Sequence, residues 1–308
     1  MRGMCTKWCR RPDSNRVMRQ RPIQQTSTVW MEEKMPEPRV ATKRMIEQIF
    51  DGAATSYDRT GPSIFTQFGK RLVKQMPLTP GARVLDVATG TGAVLLPVAR
   101  RVGSDGHVTG IDLSGAILQE AESAAHMDGL TNVELRKMDA EHLEFADQTF
   151  DAVTCALGLF LFPDMQAALR EMYRVCKPDG YIGVSVFGKT PPPFNPGLPI
   201  LVQQFVAYQV GVLMPQPTAY APDEVEALLS RLGFRSIETC NETNDIVYAS
   251  AEDWWAFLLT VGPAATIRDM SEETRSRFKD EYLAKLRPMF RQDGLHLSVA
   301  VVYAIAQR

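Results

Sequence analysis

The strongest chemical signal lies in carboxylates and glycines at the ends of short apolar runs. Val84-Leu85-Asp86-Val87-Ala88-Thr89-Gly90-Thr91-Gly92 reads as a strand that enters a glycine-rich turn. A Cβ at Gly90 or Gly92 would stand where a ligand lies, so both positions demand glycine. A helix starting at Ala93 then offers unpaired N–H groups to an anionic group. Asp112 follows a second apolar run, 20 residues after Gly92. A carboxylate there can accept both hydroxyls of a ribose. Asp139-Ala140-Glu141 follows a third run, where an adenine amino group would need an acceptor. One glycine pair is a weak sign, but three strand-end signals in this order describe a nucleoside site.

A dinucleotide-binding dehydrogenase is the obvious competitor. Its third glycine is missing, because Leu95 occupies that position. Asp86, inside the strand that precedes the turn, would also repel a pyrophosphate. A ligand carrying an ammonium and a sulfonium meets no such repulsion.

These residues need a scaffold. Val40, Met45, Ile46, Ile49 and Phe50 recur at helical spacing, as do the apolar residues of 64–73. From residue 83 the expected strands are 83–87, 108–111, 133–136, 152–156 and 181–186, separated by helices at 93–101, 115–127 and 165–175. Short continuous apolar strands alternating with helices mark a parallel sheet covered on both faces. Beyond Phe187 the expectation is a stiff proline-rich loop, helices at 200–214, 223–232, 254–259 and 274–286, and strands at 236–239 and 299–305. This reads as one domain over residues 35–308, behind a disordered basic tail at 1–34. Segments 35–78 and 188–298 would supply helical lid and acceptor-side parts.

Composition narrows the field. A net charge of −2 gives no general attraction to nucleic acid or to an anionic membrane surface. The five cysteines, an odd number set mostly in apolar stretches, read as reduced core thiols. Cys5 and Cys9 lack a second pair, and the four histidines are scattered, so no metal site is expected. No run of about 18 apolar residues predicts a membrane span. The first 30 residues carry seven Lys or Arg against only Asp13 and have no apolar h-region, which excludes a secretory signal. The remaining readings of this segment are an organellar transit peptide, an extension upstream of Met31 or Met35, or a tail without function. The reading adopted is the last, with a cytoplasmic protein.

The stretches FDGAATSYD at 50–58, VLDVATGTG at 84–92, GIDLS at 110–114 and DAEHLEFADQTFDAVTCALGLFLFPDMQAALREMYRVCKPDGYI at 139–182 resemble the ubiquinone/menaquinone-biosynthesis C-methyltransferases and the wider type-11 methyltransferases. The resemblance covers residues 50 to about 188. It implies a class I methyltransferase that uses S-adenosyl-L-methionine. The implied fold is α/β, a Rossmann-like, seven-stranded, mostly parallel sheet with helices on both faces and an antiparallel last strand. Cofactor contacts are implied at Thr91, Asp112, Asp139, Ala140 and Ala156, and at Tyr57 in an N-terminal lid. With the residues read above, the candidate cofactor set is Tyr57, Asp86, Ala88, Gly90, Thr91, Gly92, Asp112, Leu113, Asp139, Ala140, Glu141 and Ala156.

This chain departs from the resembled quinone enzymes on the side where an acceptor binds. It has Ala156 where they usually carry Ser, and Phe160 and Leu161 where they carry Arg-Asn. Aromatic residues concentrate in the same variable segments and suggest a deep apolar pocket. Phe160, Phe205, Tyr208 and Trp255 are its candidate walls, with the Leu201, Phe205, Tyr208 and Val212 stripe as a helical lid. Pro191-Pro192-Pro193-Phe194 follows the fifth strand, not the fourth, and so reads as a rigid loop and not as a D/N-P-P-Y/F box. The expected function is methylation of carbon or oxygen on a small hydrophobic or aromatic acceptor. His142 and His296 are the possible bases, and neither is assigned a catalytic role. A non-catalytic cofactor-binding module and a cofactor-dependent cyclase are the competing readings.

Overall fold

The computed structural model describes residues 42–189, 197–210 and 219–308. The basic tail, the Pro191–Phe194 run and Val212 lie outside them. Two helices come first, α1 (Lys43–Ala53) and α2 (Ile64–Gln75). Thr42 caps α1 through the Met45 N–H, and Ile46, Ile49 and Ala53 form its buried stripe. On α2, Ile64, Phe68 and Leu72 recur every fourth residue and are buried.

Alternation then builds the sheet: β1 (Arg83–Val87), α3 (Leu95–Val102), β2 (His107–Asp112), α4 (Gly115–Met127), β3 (Val133–Lys137), β4 (Phe150–Ala156), α5 (Met165–Val175) and β5 (Cys176–Phe187). Next come α6 (Gly197–Ala207), α7 (Pro222–Arg231), β6 (Arg235–Tyr248), α8 (Ala251–Leu258), α9 (Ala264–Arg268), α10 (Glu272–Leu286) and β7 (Leu295–Gln307). The seven strands lie in the order β3-β2-β1-β4-β5-β7-β6. β1 to β5 pair in parallel, and β7 runs antiparallel to both β5 and β6. This is the expected seven-stranded Rossmann-like sheet with an antiparallel last strand.

The strand order reverses between β1 and β4, so the chain leaves these neighbours in opposite directions and opens a crevice at their carboxyl ends. Val84 to Val87 are all buried, as a central strand covered on both faces requires. One core lies under α2, α3 and the late helices, the other under α5 and α7.

Three expectations change. α3 opens at Leu95, two residues later than predicted. β6 and β7 run 14 and 13 residues and form a long antiparallel ribbon. The polar sequence of β6 hid its length, because an edge strand with one solvated face needs few apolar residues. α9, a five-residue helix, was not anticipated.

Candidate cofactor site

Two adjoining cavities open at the β1–β4 crevice. The larger, about 680 Å³ including space open to solvent, is lined by Asp112 and Leu113 at the end of β2, Met138 to Glu141 after β3, residues 156–158 and 161–163 at and beyond the end of β4, and Lys43, Ile46 and Phe50 of α1. The smaller, about 400 Å³ on the same measure, is lined by the glycine turn from Ala88 to Thr91, by Asp86, Ala93 and Val94, and by Phe65 of α2. Tyr57, Ala88, Gly90, Ala156 and Leu157 border both. Of the twelve candidate cofactor residues, all but Gly92 line one cavity or the other.

Asp112 ties the crevice together. Its Oδ2 accepts the Gly90 N–H at 3.0 Å and its Oδ1 the Ser114 N–H at 3.1 Å. Burial pushes its carboxyl above the usual range, against the N–H groups of Ser114, Gly90 and Leu113. A carboxylate offers about four lone-pair positions, so with three N–H groups bound it still has capacity for a further donor. Gly90, at φ +55, meets only the Tyr57 ring when given a Cβ, at 3.8 Å. The cradle therefore stays open where a ligand would pass.

Gly92 requires a different explanation from the one its spacing suggested. A Cβ there would meet the Leu96 side chain at 3.0 Å, and φ is +93. Backbone conformation and the packing of α3 demand this glycine, not a ligand. The N–H groups expected from Ala93 onward are likewise redirected: the Leu95 N–H, first of the helix proper, is donated to Asp86.

Asp86 is 1% exposed. Its oxygens accept from Thr89 Oγ1 at 2.6 Å and from Thr154 Oγ1 at 2.8 Å. It thus braces the glycine turn, α3 and β4 from below while bordering the smaller cavity. Burial pushes its carboxyl up to about 6. Ala88 and Leu157, at the exits of β1 and β4, hold φ of 54° and 52° without being glycine. Left-handed geometry costs such residues roughly 1–2 kcal/mol each, and it turns both loops toward the crevice.

Asp139 and Glu141 receive a partner that the sequence did not disclose. Lys43 Nζ of α1 donates to Asp139 Oδ2 at 2.6 Å and to Glu141 Oε2 at 2.5 Å. Although desolvation opposes it, the Lys43 hydrogen bond and the Glu141 N–H hold the Asp139 carboxyl below its usual range. Further along α1, Asp51 Oδ1 accepts from Ser114 Oγ at 2.5 Å, and Glu47 pairs with Lys137. Tyr57 follows, stacked on Phe65 with centroids 5.0 Å apart and edge-on to Phe50. α1 and Tyr57 therefore cover the crevice.

The four expected acceptor residues line neither cavity among the described residues. Phe160 packs on Phe187, while its neighbours Leu161 and Phe162 face the larger cavity. Phe205 is fully buried against Phe278, and Tyr208 meets the same ring edge-on. Trp255 lies against Phe278 and Tyr282. Leu201 and Phe205 are buried on α6, and Phe205 and the following Tyr208 meet Phe278 of α10. Phe205 is thus packed in the core between α6 and α10. His142 is exposed, and His296 is held between Asp245 at 2.8 Å and Asp293 at 2.9 Å. Neither lines either cavity. Among the described residues no group of His, Cys, Asp or Glu is arranged to hold a metal, and no helix is long and apolar enough to cross a membrane.

Comparison with known proteins agrees with this geometry. Aklanonic acid methyltransferase DauC of Streptomyces sp. (strain C5) is 37% identical over 164 residues, 51% of this chain and 74% of that protein. The demethylmenaquinone methyltransferase of Staphylococcus carnosus is 31% identical over 222 residues, 67% of this chain and 91% of that protein. The crystal structure of the [4+2]-cyclase SpnF superposes with a TM-score of 0.56 at 20% identity, over 88% of this chain and 98% of that one, a likeness of fold. The ubiE/COQ5 methyltransferase family itself matches residues 38–247. With the crevice at the β1–β4 switch point, that match over most of the chain makes this protein an S-adenosylmethionine-dependent methyltransferase and a member of the ubiE/COQ5 methyltransferase family.

Proposed function

We propose that the larger cavity holds the adenosine half of S-adenosyl-L-methionine and the smaller its amino-acid half, with methyl transfer to carbon or oxygen of a small hydrophobic or aromatic acceptor. The observation that carries this reading is the shared neck. Polar groups stand at the nucleoside end, at Asp112, Asp139 and Glu141, while Ala88, Ala156 and Leu157 leave the junction apolar. A ligand bent across both cavities would bring its sulfonium to that junction. Relatives named for aklanonic acid and demethylmenaquinone support a quinone-like or related small-molecule acceptor.

When bound, the sulfonium supplies an activated methyl group. The chain's own task is then positioning. In this reading Asp112 orients the ribose, Asp139 and the Met138–Ala140 backbone orient the adenine, and Tyr57 closes the neck. Correct alignment at near-attack distance is worth on the order of 7–11 kcal/mol in such reactions. Leu157 at the junction, Leu161 and Phe162 in the larger cavity and Phe65 in the smaller give the reacting centre apolar surroundings.

Incubation with methyl-labelled S-adenosylmethionine and a panel of quinols, phenols and prenyl compounds tests the proposal. Label transfer to one of these compounds is the expected result. Tight donor binding with no transfer across the panel would favour the non-catalytic reading, and a rearranged acceptor without label would favour a cyclase.

A further inference from the structure

Three successive residues after α1 tie the cover to three different parts of the fold. The Tyr57 N–H bonds the Ala53 carbonyl at 2.8 Å and so continues α1. Arg59 pairs with Glu120 of α4 at 2.6 Å. Asp58 turns the other way, with φ at +56, and its carboxylate reaches the first turn of α2. There Oδ1 accepts the Phe65 N–H at 3.0 Å, and Oδ2 accepts the Thr66 N–H at 2.7 Å and the Thr66 hydroxyl at 2.6 Å.

α2 needs this help. Its own N-cap residue, Ser63, sits at φ +47 and makes no side-chain cap hydrogen bond. An acidic cap satisfies otherwise unpaired N–H groups and complements the helix dipole. Asp58 does so from five residues before Ser63. One of the N–H groups it holds belongs to Phe65, whose ring lies nearly parallel to Tyr57, at an interplanar angle of 10°. The α2 backbone in turn rests on the glycine turn's exit: a Cβ on Gly69 would stand 2.6 Å from the Ala93 carbonyl oxygen. α2 therefore cannot approach further, and its register against the crevice is fixed.

We propose that Asp58 is the positioning residue of the cofactor cover: by capping α2 from outside the helix it fixes Phe65 and, through the stacked ring pair, holds Tyr57 over Gly90. This rests on the reading of the two cavities as the S-adenosylmethionine site. Asp58 itself lines neither cavity, so its influence on the ligand passes through Tyr57.

A double-mutant cycle on the full chain tests it, with S-adenosylhomocysteine as the calorimetric probe and thermal midpoints as the second readout. Asp58→Ala should weaken the probe roughly 10-fold, the scale of a lost cap. Asp58→Asn, which keeps one accepting oxygen, should recover part of that loss. In a Tyr57→Ala background, Asp58→Ala should change affinity by less than about twofold, while still lowering the thermal midpoint as much as before. Affinity within about twofold of wild type in folded Asp58→Ala, or an equal loss in both backgrounds, overturns the proposal. Should Asp58→Ala not fold, Asp58→Asn and Thr66→Val are compared in the same two backgrounds by the same criteria. Failure of the wild-type chain to bind the probe would instead overturn the reading of the cavities, and the proposal with it.

Discussion

Replacing Asp86 by Asn probes the buried acid beneath the glycine turn. Burial raises this carboxyl from an ordinary 3.8 to about 6, although Thr89, Thr154 and the Leu95 N–H all favour its ionised form. Between these two values the folded chain keeps a proton that the unfolded chain has released. Stability from this group is therefore complete below about pH 4 and is lost as pH rises toward 6. At 1.36 kcal/mol per pH unit the loss is on the order of 3 kcal/mol. Asn cannot ionise, and the two threonine hydroxyls can exchange donor and acceptor roles to suit it. Relative to wild type, Asp86→Asn should thus gain on the order of 3 kcal/mol between pH 4 and pH 7. Urea denaturation at matched pH values measures the difference, in which the titration of the other groups cancels. The same variant should bind S-adenosylhomocysteine more weakly near neutral pH, because the carboxylate borders the smaller cavity, where a cationic ammonium would gain from its charge. A stability difference that stays flat or falls with pH would refute the buried-acid argument. Unchanged binding would reduce Asp86 to a brace.

Asp112→Ala removes charge-assisted bonds worth about 1.5–3 kcal/mol, so calorimetry should find S-adenosylhomocysteine bound roughly 10- to 100-fold more weakly; tighter binding of NAD would favour a dehydrogenase instead. Phe205→Ala should destabilise the fold by about 3–5 kcal/mol in chemical denaturation, as a fully buried Phe does when truncated. Lost acceptor turnover at unchanged stability would instead support a lid role for this face. The hydrogen bonds to Asp293 and Asp245 raise the His296 value above 6.5. Its stabilisation is thus complete below pH 6.5 and declines as pH rises through the raised value. A His296→Gln variant should flatten the fall of the thermal midpoint across that window, and an unaltered profile would count against the imidazolium.

The residues that line the crevice are readable in the sequence because most of them are local to the strand ends. A strand, the turn that ends it and the next helix are contiguous, so the identities of Gly90, Asp112 and Asp139 already report where each strand stops. The sequence could not separate what a residue touches from what it resembles. Gly92 fits a ligand-cradle spacing but answers to Leu96 and a positive φ. The α6 stripe marks a buried face, and nothing within the stripe says that α10 is what buries it. β6 concealed its length for a related reason: an edge strand is held by its partner's backbone, and its side chains carry little of the pattern.

Lys43, Asp58 and Phe65 show the limit most sharply. Each acts across a turn or between elements: Lys43 on carboxylates 96 and 98 residues away, Asp58 on the start of the following helix, Phe65 on the ring of Tyr57. No periodicity could announce them, because a cation on an exposed helix face and an acid in a short connection are ordinary surface residues until the fold brings their partners near. In the proposed reading donor binding rests on strand ends, whose chemistry is written in consecutive residues. The cover over the crevice rests on contacts between segments that the sheet must first bring together. A sequence in which the donor is legible and the acceptor is not follows directly from that division of labour.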